Sequence, residues 1–179
     1  MIVGFDLDKI FIDYPPLVPS FLINRMYKKK SNGELWYRMP SSFEQKIRQL
    51  SHYSLFRPPI KENISFMEKL AEKNQHTYFL VSSRFGFLKK QTEDIVKKYG
   101  ISPLFQDLFF NFKDQQPHIF KNEMMKKLKI NVYIDDDLSL LKFLSKKNRD
   151  IKFYWFNKKQ RAKINNNIIA ITKLSQIKL

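Results

Sequence analysis

The stretch Ile2-Val3-Gly4-Phe5-Asp6-Leu7-Asp8-Lys9-Ile10-Phe11-Ile12-Asp13 decides how this chain is read. It opens with a short apolar run that stops at two carboxylates spaced i, i+2. Such a run reads as a strand buried on both faces, not as an amphipathic helix. In open α/β sheets, ligands bind just beyond the carboxyl ends of such strands, and Asp6 and Asp8 fall at that point. Two carboxylates this close repel unless a cation or a shared proton relieves them. Mg2+ suits the position, because it prefers one or two carboxylates together with waters and phosphate oxygens.

Working outward, strands of the same kind recur. Thr77-Tyr78-Phe79-Leu80-Val81 ends at Ser82-Ser83-Arg84, and Leu108-Phe109-Phe110 is a shorter candidate. Asn131-Val132-Tyr133-Ile134 runs into Asp135-Asp136-Asp137, Ile151 to Phe156 follows, and Ile168 to Ile171 reads as a last edge strand. Helices are expected between them. Over Ile60 to Asn74, Ile64, Met67, Leu70 and Ala71 share one face. Phe87 to Tyr99 is stopped by Gly100, His118 to Leu128 is helical, and Leu138 to Lys147 takes Asp137 as its N-cap. Strands alternating with helices predict an α/β fold with a doubly wound, mainly parallel sheet.

One segment breaks the alternation. Tyr14 to Pro59 holds six of the eight prolines and the aromatic clusters around Trp36-Tyr37 and His52-Tyr53. Phe21 to Lys30 is expected as one helix, and Ser41-Ser42-Phe43-Glu44 opens a second with a Ser N-cap. Pro40 and Arg57-Pro58-Pro59 are breakers. The expected organisation is a core of 1–13 and 60–179 with 14–59 as a helical insertion, either a cap over the site or an excursion packed on the sheet edge.

With 179 residues, 43% of them apolar and 15% aromatic, the chain has enough material for one globular domain with a sizeable core. The absence of cysteine excludes disulfides, thiolate metal sites and cysteine nucleophiles. His52, His76 and His118 show no ligand spacing, so zinc is not expected. The opening apolar run is too short for a signal peptide or a membrane span, and a cytoplasmic protein with no membrane partner is expected. The formal charge of +16 comes largely as doublets spread along the chain, such as Lys89-Lys90, Lys97-Lys98 and Lys126-Lys127. It reads as solvated helix faces that would attract anionic substrates, and nucleic acid is not the favoured partner.

In order along the chain stand an apolar strand with Asp6-Leu7-Asp8, an apolar strand with Ser82, a lysine, and an apolar strand with Asp135-Asp136. Phosphoryl transfer through a covalent intermediate needs such parts: a carboxylate nucleophile, a proton carrier, donors for the phosphoryl oxygens and carboxylates for a metal. This set resembles the four signatures of the haloacid dehalogenase superfamily of phosphatases, over residues 1 to about 156. Within it, the Asp-Asp form, Ser82-Ser83-Arg84 and the early insertion look most like the 5′(3′)-deoxyribonucleotidases.

The resemblance implies Asp6 as nucleophile and Asp8 as acid/base. It implies Ser82, Ser83 and Lys121 as the phosphate-binding groups, and Asp6, Asp8, Asp135 and Asp136 around Mg2+, with Asp8 contacting the metal through its backbone carbonyl. Lys113 and Lys126 remain alternatives to Lys121. Arg84 is either a substrate contact or a surface residue, and Lys9 is a further candidate contact. Family members usually continue Asp-x-Asp-Gly-Thr, whereas this chain has Lys9 and Ile10. The expected activity is Mg2+-dependent hydrolysis of a small phosphomonoester, with a nucleoside monophosphate favoured and Trp36, Tyr37 or Tyr53 stacking on its base. The alternatives are a polynucleotide-end phosphatase and a catalytically silent binding protein of the same fold.

Overall fold

The computed structural model describes residues 1–15, 28–31, 34–157, 164 and 167–179. In chain order its elements are β1 (Ile2–Phe5), β2 (Lys28–Ser31), β3 (Glu34–Tyr37), α1 (Ser42–Ser51), α2 (Lys61–Lys73) and β4 (Thr77–Ser82). Then come α3 (Lys89–Lys98), β5 (Asp107–Phe110), α4 (Pro117–Lys127), β6 (Val132–Asp135), α5 (Leu138–Lys147), β7 (Lys152–Phe156) and β8 (Ile168–Ile171). Six strands form one sheet in the order β5-β4-β1-β6-β7-β8, every neighbouring pair parallel. The chain builds outward in one direction through β4 and β5 and in the other through β6, β7 and β8. The reversal at β1 makes its carboxyl end the topological switch point, where such sheets place their ligands.

The period of two along each strand divides the core between the sheet's two faces. Val3, Phe5, Tyr78, Leu80, Val132 and Ile134 face one side, packed with Ile64 and Met67 of α2 and Ile95 and Val96 of α3. Phe79, Val81, Tyr133 and Phe153 face the other, against Phe120 and Met125 of α4 and Leu140, Leu141 and Leu144 of α5. Gly4 is required by packing. A Cβ there would meet Ile130 Cδ1 and Tyr133 Cδ2, each at 2.8 Å. Its absence lets the Tyr133 ring lie against β1 and send its hydroxyl to Val81 O at 2.9 Å.

Beyond β1 the backbone turns tightly. Phe11 N and Ile12 N both donate to Leu7 O, and Lys9 N donates to Ile12 O. Ile10 is fully buried in the core, and Asn63 Nδ2 caps its carbonyl at 2.6 Å. Lys9 sits at φ 63°, in the left-handed region, which suits the glycine that the resembled motif carries there. Its amine reaches Asp13 at 2.7 Å and lies over the Tyr14 ring. A non-glycine residue in this region costs roughly 1–2 kcal/mol, and a half-exposed ion pair returns less. Glycine's extra freedom in the unfolded chain takes back part of the gain. Lys9→Gly is therefore expected to raise the melting temperature by about 1–2 °C. A lower melting temperature would mean that the Lys9 contacts outweigh the strain.

The segment expected as an insertion leaves and rejoins the core at one place. Asp13 N donates to Pro58 O, Ile60 N donates to Phe11 O, and Ile12 bridges to Pro59. Its described part is not all helical. β2 and β3 pair as an antiparallel hairpin, with Lys29 opposite Trp36, so Lys28 to Lys30 are strand where the end of a helix was expected. Residues 21–27 of that expected helix lie outside the described residues. The second helix forms as expected: Ser41 caps α1 in a capping box with Glu44. Phe43, Ile47 and Leu50 remain exposed along α1. The helix holds the core instead through polar links, Gln49 Nε2 to Phe87 O at 2.8 Å among them.

Candidate active site

Strand register assembles the site. Phe5 pairs with Leu80 on one side and Ile134 on the other, so Asp6, Ser82 and Asp135 leave the sheet together at its carboxyl edge. Asp6 N donates to Ile134 O at 2.9 Å and fixes the turn-off point. From α4, whose Phe120 and Met125 anchor it to the sheet, Lys121 reaches into the same spot. Its amine donates to Asp6 Oδ1 at 2.7 Å and Asp135 Oδ2 at 2.6 Å, above the Tyr133 ring. Lys121 is 2% exposed, whereas Lys113 and Lys126 are exposed. Of the three candidate lysines, Lys121 is the one that lines the cavity.

Asp6, Asp135 and Asp136 bring carboxylate oxygens within 4.8 Å of one another. Burial, then the charges of Asp135 and Asp8, push Asp6 up from 3.8 to about 7 against the opposing pull of Lys121. Burial and the neighbouring Asp135 and Asp6 hold Asp136 well above the usual carboxylate range. Lys121, despite burial, is raised well above its usual value by Asp135 and Asp6 and stays charged. Three crowded carboxylates with one ammonium fit a divalent cation, which would relieve the repulsion that raises Asp6 and Asp136. Asp137 stands apart from this cluster. Its Oδ1 caps α5 through Ser139 N and Leu140 N, as the sequence predicts, and its Oδ2 accepts from Tyr37 OH at 2.9 Å.

The Asp8 carboxylate lies outside the metal-type cluster and turns to two arginines. Arg84 grips it with Nε to Oδ2 at 2.8 Å and Nη2 to Oδ1 at 2.9 Å, and Arg57 Nη1 adds a contact to Oδ1 at 3.3 Å. Burial alone would raise Asp8, but Arg84 and then Arg57 hold it well below the usual range. Arg84 lines the cavity. It is 5% exposed, so not a surface residue, and its guanidinium is engaged by Asp8 and by Thr92 Oγ1. Ser82 is buried and lines the cavity. The Ser83 hydroxyl is buried beside it with no hydrogen-bond partner among the described residues, a donor fit for a phosphoryl oxygen. Lys9 is not a cavity residue, since its amine points back to Asp13 and Tyr14.

These groups line a cavity of about 350 Å³, in the usual range for a small-molecule site. Tyr37, His52 and Arg57, all from the segment between Tyr14 and Pro59, form part of its wall. Of the three aromatics expected to stack on a base, Tyr37 lines the cavity, whereas Trp36 and Tyr53 are about half exposed and do not. Arg57 and His52 escape a reading of the sequence. Arg57 looks like part of a Pro-rich stop, and His52 has no second histidine at ligand spacing. Only the return of the chain at Pro58 brings both against Asp8.

No protein-family model and no curated protein sequence matches the chain. Solved structures do. A putative β-phosphoglucomutase from Thermotoga maritima is similar with a TM-score of 0.59 at 15% identity, over 96% of this chain and 94% of that one. A HAD-superfamily hydrolase from Ehrlichia chaffeensis gives 0.55 at 12% identity, over 97% and 91%. A haloacid dehalogenase-like hydrolase from Streptococcus pneumoniae gives 0.52 at 12%, over 87% and 84%. Identities this low speak to backbone alone, and the backbones agree along nearly the whole chain. With its parallel sheet reversing at β1 and its carboxylates at that reversal, the chain has the fold of the haloacid dehalogenase superfamily.

Proposed function

We propose that this protein is a Mg2+-dependent phosphatase that hydrolyses a small phosphomonoester through an aspartyl-phosphate, with residues 14–59 as its cap. The observation that carries the reading is one cavity lined by Asp6, Lys121, Asp135, Asp136 and the orphan hydroxyl of Ser83. An Asp6 carboxylate oxygen bonds to phosphorus as the ester P–O bond breaks and the leaving oxygen takes a proton. Water then attacks the acyl phosphate, which restores Asp6 and frees inorganic phosphate. Lys121 keeps positive charge beside the phosphoryl oxygens, and Ser82 and Ser83 donate to them. Asp6, Asp135 and Asp136 are the residues to hold Mg2+, which when bound offsets their repulsion and takes phosphoryl oxygens. Asp8 enters proton transfer once the arginines loosen their hold. A carboxylate gripped by two guanidiniums has no proton to give and little affinity for one.

A nucleoside monophosphate remains the favoured substrate class, with Tyr37 as the stacking aromatic in the cavity wall. The polynucleotide alternative finds less support, because Lys89-Lys90, Lys97-Lys98, Lys126-Lys127 and Lys146-Lys147 do not line the cavity. The silent-protein alternative rests on Lys9 and Ile10, and both have structural roles away from the cavity. Screening phosphorylated metabolites with and without Mg2+ tests the reading. Phosphate release from at least one nucleotide or sugar phosphate, abolished by EDTA, is the expected result. No release from a broad panel by folded protein would favour the silent binding protein.

A further inference from the structure

Among the described residues three cationic side chains line the cavity, and two are bonded to carboxylates at short range. Lys121 bonds Asp6 and Asp135 at 2.7 and 2.6 Å, and Arg84 bonds both oxygens of Asp8 at 2.8 and 2.9 Å. Arg57 is different. Its one contact to Asp8, at 3.3 Å, falls on an oxygen that Arg84 already serves. Asp8 therefore does not need Arg57 to be oriented.

The rest of Arg57 is held from the cap side. Nε donates to Ser51 O at 3.3 Å, and Nη2 lies 2.6 Å from His52 Nε2. The other ring nitrogen of His52 stands 2.7 Å from Arg48 O. A carbonyl oxygen only accepts, so Nδ1 carries the hydrogen and Nε2 presents a lone pair to the guanidinium. Arg57 and His52 are 2% and 3% exposed. This pair is built to hold a guanidinium by its far edge while Nη1 faces the reacting end of the cavity.

We propose that Arg57, held by the positioning residue His52, is the cap's phosphoryl-binding group, moving Nη1 from Asp8 to an oxygen of the bound phosphoryl group. This rests on the phosphatase reading for its setting, but it concerns anion binding and not turnover. The exchange leaves Asp8 with its two Arg84 bonds. Binding of the anion would thereby draw the cap and core walls of the cavity onto one ligand.

The test is titration of inorganic phosphate, in the presence of Mg2+, into wild type, Arg57→Ala, Arg57→Lys, His52→Leu, and His52→Leu combined with Arg57→Ala. Each variant is first checked by thermal melting. A charge-assisted hydrogen bond is lost in Arg57→Ala, so phosphate should bind roughly 10–100-fold more weakly. Arg57→Lys should recover part of that loss, and added guanidinium should restore binding to Arg57→Ala. His52→Leu should weaken binding in the Arg57 protein but add nothing in the Arg57→Ala background. Binding within twofold of wild type in Arg57→Ala would overturn the proposal. So would additive effects of the two substitutions, or wild type that binds no phosphate at millimolar concentration. Turnover is scored separately. Phosphate binding lost with Arg57 in a protein that hydrolyses nothing would leave this inference standing and sink the phosphatase reading, whereas robust turnover with Arg57→Ala unaffected would do the reverse.

Discussion

Asp6→Asn is expected to take phosphate release below detection while leaving the fold intact. The amide is isosteric and its oxygen still accepts from Lys121, but it cannot attack phosphorus. The same variant reports on charge. Burial, with the charges of Asp135 and Asp8, pushes Asp6 up from 3.8 to about 7, so its ionised form is disfavoured by folding. In wild type without divalent cation, this destabilisation is absent below about pH 4 and grows until pH passes 7. Asp6→Asn removes it. The variant should melt above wild type without Mg2+ at pH 8, and by a smaller margin at pH 5. Mg2+ should close the gap at pH 8 by stabilising wild type. Near-normal turnover by Asp6→Asn would mean that the covalent route is wrong.

Lys121→Met should be the most damaging single change to stability. Lys121 is 3% exposed at its side chain, between Asp6 at 8% and Asp135 at 1%. Removing one partner from a buried ionic cluster typically costs about 3–5 kcal/mol, because the remaining charges keep their desolvation cost and lose their compensation. In a chain of this size that corresponds to a fall of roughly 10 °C or more in melting temperature. Mg2+ should restore much of the loss, since a dication can take over the compensation. Thermal melts with Mg2+ and with EDTA decide the matter. A shift of only a degree or two, unaltered by Mg2+, would show that the carboxylates do not depend on this ammonium.

The strands that carry the site were legible because each is an apolar run ending at a chemically distinct residue. Thr77 to Ser82 and Val132 to Asp135 needed no knowledge of their neighbours, and parallel register did the rest. Asp137 as the cap of α5 was equally local. What the sequence hid depends on chain reversal. Arg57 and Arg84 meet at Asp8 across 49 and 76 residues, and no periodicity encodes such a meeting. β2 was hidden for another reason. Lys28-Lys29-Lys30 is a run of good helix formers, and only pairing with Glu34 to Tyr37 overrides that preference.

The central place of β1 also bears on how the chain is made. Phe5 needs Leu80 and Ile134 as its neighbours, and the second follows about 130 residues later in the chain. At ribosomal rates of about 5–20 residues per second, that interval is on the order of ten seconds. Throughout it, an apolar strand waits with an unpaired edge, the condition that favours aggregation. The strand that places Asp6 at the middle of the sheet is thus, during synthesis, the one most in need of shelter by a chaperone.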